Sequence, residues 1–241
     1  MPEKKVNDAI EFRRSVRIFD AKKQIDPKIV KDCIAHGVLA PNSSNLQLWE
    51  FYHIISSKMM KKIVSACFNQ PAAKTANQFV IPVVRKDLWK ERIASNVAFI
   101  ESEHKKSKIK DSKKTKGAIT YYQKILPKIY GAGIIKGWIN NISVQIKGLK
   151  KVVYRQVKKS DMRVVAHKST ALAAQNFLIS MAGKGYDTCT MEGFDSLKVK
   201  KILGLPNEAE ISMVIGCGIR TKKGVYGPRF RVPIDEIYFE K

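Results

Sequence analysis

The stretch VVAHKSTALAAQNFLISMAGKG, residues 164 to 185, constrains the fold more than any other part of the chain. It predicts a long helix rich in alanine, at Ala166, Ala171, Ala173, Ala174 and Ala182, and Gly183 and Gly185 end it. Small side chains along such a helix let another helix approach closely. That neighbour is either part of the chain's own core or belongs to a second copy, and the pattern alone leaves both open.

Around it the sequence alternates helix and strand. A first helix runs from Val6 to Phe12. The next, IDPKIVKDCIAHGVLAP, carries an N-cap aspartate at Asp26, Pro27 at the first helical position, and Ile29, Val30, Cys33, Ile34 and Val38 at helical spacing, and it stops before Pro41. WEFYHII (49–55) is aromatic and β-branched and reads as a strand. Ser57 caps a helix through KMMKKIVSACF. FVIPVVR (79–85) reads as a strand in which Pro82 argues for a sheet edge or a bulge. After the long helix come a short helix, SLKVKKILGLP, and an apolar strand in AEISMVIGCGIR.

The formal charge is +24 over 241 residues, and its distribution is uneven. Residues 101–163 hold 17 lysines and arginines against four acidic residues, about half of the excess in a quarter of the chain. That segment starts as solvated charge, turns amphipathic near Ala118, and is broken into short helices by Pro127, Gly131, Gly133 and Gly137. It reads as a basic helical insertion, at about 101–163, in a single domain spanning 1–241. GAGIIKG within it has no preceding strand and the wrong spacing for a dinucleotide fingerprint. The amino terminus lacks a secretory apolar region and no run is long enough to span a bilayer, so a cytoplasmic location is expected. The four cysteines and four histidines show no metal-ligand spacing, which argues against metal chemistry.

FRRSVRIFD (12–20) sets Arg13, Arg14, Ser15 and Arg17 among Phe12, Val16, Ile18 and Phe19. Guanidinium groups framed by apolar residues call for an anion. Near the other end, GPRFRVP alternates Arg229 and Arg231 around Phe230, and in an extended segment both arginines share a face. Several cations gathered about one dianion are costly without it, so the pattern predicts a bound anionic group.

RRSVRIFD, APNSSNLQLWEF, GYDTCTMEGFD and GVYGPRFRVP, in that order over nearly the whole chain, resemble the nitroreductase family of flavin enzymes. The resemblance implies an α+β fold, a mixed sheet flanked by helices and built as an intertwined homodimer, with FMN at the boundary between subunits. The anion is then the FMN phosphate. Arg13 is expected to reach it, Arg14 and Ser15 to meet phosphate or ribityl oxygens, and Arg229 and Arg231 to meet the same phosphate. Arg17 is expected near the N1–C2 edge of the ring. Pro41, Asn42, Ser43 and Asn45 match a flavin-contacting turn supplied by the partner subunit, with Gln47 and Trp49 holding the turn. Asn42 stands where serine is commoner, and Leu48 where proline is. Met191, Glu192 and Gly193 match the segment on the N5 side and are expected to act through the backbone. Asn69 or Gln70 is a further candidate for the ring's pyrimidine edge. No catalytic side chain is nominated.

The implied activity is hydride transfer from NADH or NADPH through flavin N5 to a small-molecule electron acceptor such as a nitroaromatic or quinone, by a ping-pong scheme. A different reading starts from the charge: a nucleic-acid or anionic-surface binder using the basic insertion, whose tyrosines and Trp138 are interleaved with lysines. An anionic membrane surface is the third partner this segment suits.

Overall fold

In the computed structural model, residues 3–107, 112–131 and 133–241 are described. Part of the solvated run expected after residue 101 (108–111) therefore lies outside the described residues. The sheet forms where the apolar runs fall: β1 (Trp49–Ile54), β2 (Gln78–Val84), β3 (Asp187–Met191), β4 (Glu210–Ile211) and β5 (Val214–Gly218). Its order is β1-β2-β5-β3, with β4 also on β2. All five strands pair antiparallel, and the parallel element is the bridge between Ser15 and Thr188.

Every residue of β2 is buried, so this strand is the centre of the sheet and not an edge. Pro82 is tolerated there for a specific reason. Its carbonyl accepts from the Ser212 N–H at 3.0 Å, on the side away from β1. Its missing N–H therefore faces Ser212–Met213, where β4 and β5 are interrupted, and no ladder bond is lost. The apolar strand expected at the end of AEISMVIGCGIR is β5, and the short β4 precedes it across this interruption.

The long helix is α9 (Lys159–Gly183), in a chain order that begins with α1 (Val6–Phe12) and α2 (Pro27–Gly37). It starts five residues earlier than its alanine pattern suggests, because Asp161 accepts from the Lys158 N–H at 2.9 Å and caps the end. One close neighbour of its alanines lies within the chain. Gly37 of α2 sits so close that an added Cβ would lie 3.0 Å from the Ala173 carbonyl and 3.2 Å from the Phe177 Cβ. Asp26 accepts from the Lys28 N–H at 2.8 Å and Pro27 opens α2, as the sequence requires.

α2 and α9 pack on one face of the sheet through Val30, Cys33, Phe177 and Met181. The other face is covered by Val16 and Phe19 together with α3 (Ser57–Ala66), α4 (Pro71–Thr75) and α10 (Ser196–Leu203). A third cluster joins Leu46 and Leu48 to α5 (Trp89–Lys106), which the sequence reading did not anticipate. Beyond it come α6 (Ser112–Thr120), a π-helical turn (Tyr121–Ile125), α7 (Leu126–Tyr130) and α8 (Ile134–Lys147). Of GAGIIKG, Gly131 caps the end of α7, Gly133 precedes α8, and Ile134–Gly137 form its first turn. Among the described residues no helix is long and apolar enough to cross a membrane.

Cys33, Cys67, Cys189 and Cys217 are buried free thiols. Burial raises all four, Cys67 to about 11. A thiol raised in the folded state stabilises fully below its unfolded value of 9.0 and loses that contribution as pH climbs through the folded value. Guanidinium unfolding followed from neutral pH upward should therefore show stability falling between about 9 and about 11. A chromogenic disulfide should react with all four thiols only after unfolding. Rapid labelling of the native protein at neutral pH would contradict this burial.

Candidate functional site

Segment 13–20 leaves α1 in an extended conformation and is pinned by its apolar residues. Val16 and Phe19 are buried, the Val16 N–H donates to the Thr188 carbonyl at 3.2 Å, and the Arg17 N–H donates to the Gly224 carbonyl at 2.7 Å. With those side chains facing in, the polar ones face a cleft of about 290 Å³. Arg13, Arg14, Ser15 and Arg17 line one wall, and Val225, Tyr226, Pro228, Arg229, Phe230 and Arg231 the other. The two basic motifs, some two hundred residues apart in sequence, thus form one site.

No carboxylate lines this cleft, and among the described residues none pairs with its five arginines. Burial, then repulsion from Arg229, Arg231 and Arg14, holds the Arg13 guanidinium below its ordinary value. Other arginines spend donors on the scaffold. Arg14 Nη2 donates to the Gly227 carbonyl at 2.9 Å, where the chain turns with φ +85°, a conformation suited to glycine. Arg229 Nη2 donates to the carbonyls of Glu11 and Arg13, each at 2.7 Å, closing the end of α1. Arg17 Nη1 points to the Cys189 sulfur at 3.3 Å, and Arg231 Nη1 bonds the adjacent Phe230 carbonyl. The tail and α1 are tied further by Arg220, which donates from N and Nε to Asp187 at 2.7 Å and from Nη2 to the Phe12 carbonyl at 3.0 Å.

Met191, Glu192 and Gly193 do not line this cleft; they end and follow β3, whose Thr188 and Cys189 contact Ser15, Val16 and Arg17. The Met191 side chain is buried in the core, which leaves only its backbone for a ligand. Glu192 and Gly193 are exposed, and the Gln70 Nε2 donates to the Gly193 carbonyl at 2.9 Å. Gln70 sits just after Phe68 and Asn69, which hold φ of 55° and 53°.

Pro41, Asn42, Ser43 and Asn45 lie elsewhere. Their turn is held by the Asn42 Oδ1, which accepts from the Gln47 N–H at 2.8 Å, by the Ser43 N–H on Ser169 of α9, and by an exchange between Asn45 and Asn96 of α5. Tyr122 donates to the Ser44 carbonyl at 2.9 Å. Ser44, Asn45 and Gln47 all have left-handed φ, strain that costs about 1–3 kcal/mol per residue and collects at ligand clamps. Among the described residues this turn makes no hydrogen bond to the arginine cleft. Within the chain the turn and the cleft are therefore separate.

The sequence reading missed Tyr226 as a wall of the cleft and Cys189 as the contact of Arg17. The alternation of DTCTM was the available signal for the latter, since it puts Cys189 on the face of β3 opposite Thr188 and Thr190.

A carboxylate-free cleft of five arginines, one of them destabilised by three others, fits a phosphomonoester dianion: guanidinium forks match its oxygens and the charge relieves their repulsion. Comparisons with known proteins bear on the family and the fold. The chain is 24% identical over 217 residues to Protein DrgA of Synechocystis, covering 89% of this chain and 84% of that protein. It is 24% identical over 242 residues to YdgI of Bacillus subtilis, provisionally named an NAD(P)H nitroreductase, covering 97% of each. A provisionally assigned nitroreductase of Exiguobacterium sibiricum, crystallised in complex with FMN, superposes with a TM-score of 0.72 at 18% identity over 100% of this chain and 99% of that one, which speaks for the fold. The profile of the nitroreductase family matches residues 10–219, and the chain belongs to that family.

Proposed function

We propose that the protein is an FMN-dependent NAD(P)H oxidoreductase that works as a homodimer. The observation that carries this reading is the arginine cleft. Bound there, FMN would supply the redox chemistry between NADH or NADPH and a nitroaromatic, quinone or similar acceptor. Arg13 and Arg14 hold the phosphate, each charge-assisted bond contributing about 1.5–3 kcal/mol. Ser15 bonds phosphate or ribityl oxygens. Arg17 carries positive charge toward the ring's N1–C2 edge. The backbone of Met191 to Gly193 would border N5, where the absence of a Cβ at Gly193 would let the chain approach closely.

At about 290 Å³ the cleft is at the small end of ligand sites and suits the phosphate and sugar better than a whole flavin. The strained turn at 41–45, unattached to the cleft of its own chain, is the missing wall when a second subunit brings it there. One exposed ring face serving donor and acceptor in turn implies ping-pong kinetics.

The test is direct. Purified protein should be yellow or should take up FMN to about one per chain, and anaerobic addition of NADH or NADPH should bleach the flavin bands. Turnover with a quinone should give parallel double-reciprocal lines. Colourless protein that takes up no FMN would overturn the reading, and intersecting lines would overturn the kinetic scheme.

A further inference from the structure

Helix α8 is amphipathic with its apolar side outward. Gly137 is buried against the backbone of Val157 and Lys158, and Asn140, Asn141 and Ser143 are half-buried. Trp138, Ile139, Ile142 and Ile146, by contrast, are 59–63% exposed. Their spacing of three and four puts them on one stripe. Just past the end of the helix Leu149 and Val152 are also open to solvent, 84% and 106% exposed. Single exposed apolar residues are ordinary, but a contiguous row of this length marks a contact surface.

The charge around the stripe is one-sided. Residues 112–160 contain 12 lysines and arginines and no aspartate or glutamate. Lys147, Lys150, Lys151 and Arg155 flank the apolar row, and the Lys158 ammonium lies over the Trp138 ring at 5.1 Å. We propose that α8 and the segment leading to Tyr154 dock on an anionic lipid bilayer. The aliphatic row and Trp138 enter the boundary between headgroups and acyl chains, and the lysines meet the acidic headgroups. Nucleic acid suits the charge but not the row, because aliphatic side chains offer no stacking surface for bases. A two-fold contact with a second copy would set the two basic rims against each other. Lipid satisfies both features together.

The experiment uses the full chain with its flavin and asks whether it sediments with vesicles. Binding is expected to vesicles of phosphatidylcholine plus phosphatidylglycerol, at least about tenfold more tightly than to phosphatidylcholine alone, and to weaken as salt is raised. Emission from Trp138 should shift to the blue on binding, a shift lost in Trp138→Phe. The double variant Ile142→Glu, Ile146→Glu should bind at least about tenfold more weakly while keeping its circular dichroism and its oligomeric state. If that variant fails to fold, Lys150→Ala with Lys151→Ala tests the charged half of the face by the same readout. The proposal is overturned by absence of binding to anionic vesicles at low salt, or by variants that bind as the parent does. Dissociation of the oligomer by the glutamate variant would assign the face to a second copy instead. An oligonucleotide bound at low salt and equally weakened by the glutamates would assign it to nucleic acid. All these outcomes are read independently of turnover, so they stand apart from the fate of the oxidoreductase proposal.

Discussion

Arg13→Ala should weaken FMN binding by more than about a hundredfold, the equivalent of two charge-assisted hydrogen bonds, while leaving the flavin-free protein no less stable than the parent. The two effects differ because Arg13 sits half-buried with Arg229, Arg231 and Arg14 all repelling it. Without a ligand its charge is a liability, and with a phosphate it becomes the shared counterion's partner. Arg229→Ala supplies the contrast. Its guanidinium holds the Glu11 and Arg13 carbonyls, so its loss should lower the stability of the flavin-free protein as well as the affinity. Titration of the stripped protein with FMN, followed by flavin fluorescence, and thermal melts without FMN measure both quantities. An Arg13→Ala protein that melts well below the parent yet binds FMN equally tightly would remove the phosphate from this cleft.

The second large effect concerns the joint that holds the cleft together. Asp187 is 3% exposed, and the Arg220 backbone and guanidinium both donate to it. The same guanidinium reaches the Phe12 carbonyl, one residue before Arg13, and stacks over the Phe12 ring at 4.4 Å. Asp187→Ala strands a cation beside a buried gap, which costs about 3–5 kcal/mol. For a chain of this size that lowers the melting temperature by about 10 °C. Because the joint links α1, β3 and the start of the tail, flavin affinity should fall too. Asp187→Asn keeps the volume and part of the hydrogen bonding, so it should lose less. Calorimetry of the three proteins decides it, and a melting point for Asp187→Ala within about a degree of the parent would refute the account.

The parts of this protein that were legible early are those in which local chemistry suffices. Asp26 and Pro27 announce the start of α2 wherever it is placed, and Val6–Phe12 is a helix by its own pattern. The two arginine motifs signal an anion because cations among apolar residues need one. Other features were misread for reasons of context. Pro82 argued for an edge or a bulge; the edge is not found, but the register shows a bulge beside it, since Val83 to Val80 on β2 faces Ile211 to Ile215, one residue more, on the neighbouring strand. β3 was passed over because a short run with threonines and a cysteine looks like a loop until it has β5 beside it. α5 was hidden by its charge, since lysine and glutamate face solvent along most of its length.

From the amino-acid order alone came the Asp26–Pro27 start of α2, the lack of metal-ligand spacing among the cysteines, the two basic clusters and the unbalanced charge of the 101–163 segment, whereas the cap expected at Ser57 falls to Ser56, with Ser57 already inside α3. Those are properties of neighbouring residues, settled by backbone propensity and by the cost of burying or crowding charge. Tertiary structure decided the pairings: that residues 13–17 and 225–231 face one another across a single cleft, that Arg229 closes α1, that the 41–45 turn stands apart from them, and that α8 turns its isoleucines outward. Periodicity says which residues of a helix share a side, but which side faces the core depends on what packs against it, and only the folded chain supplies that partner.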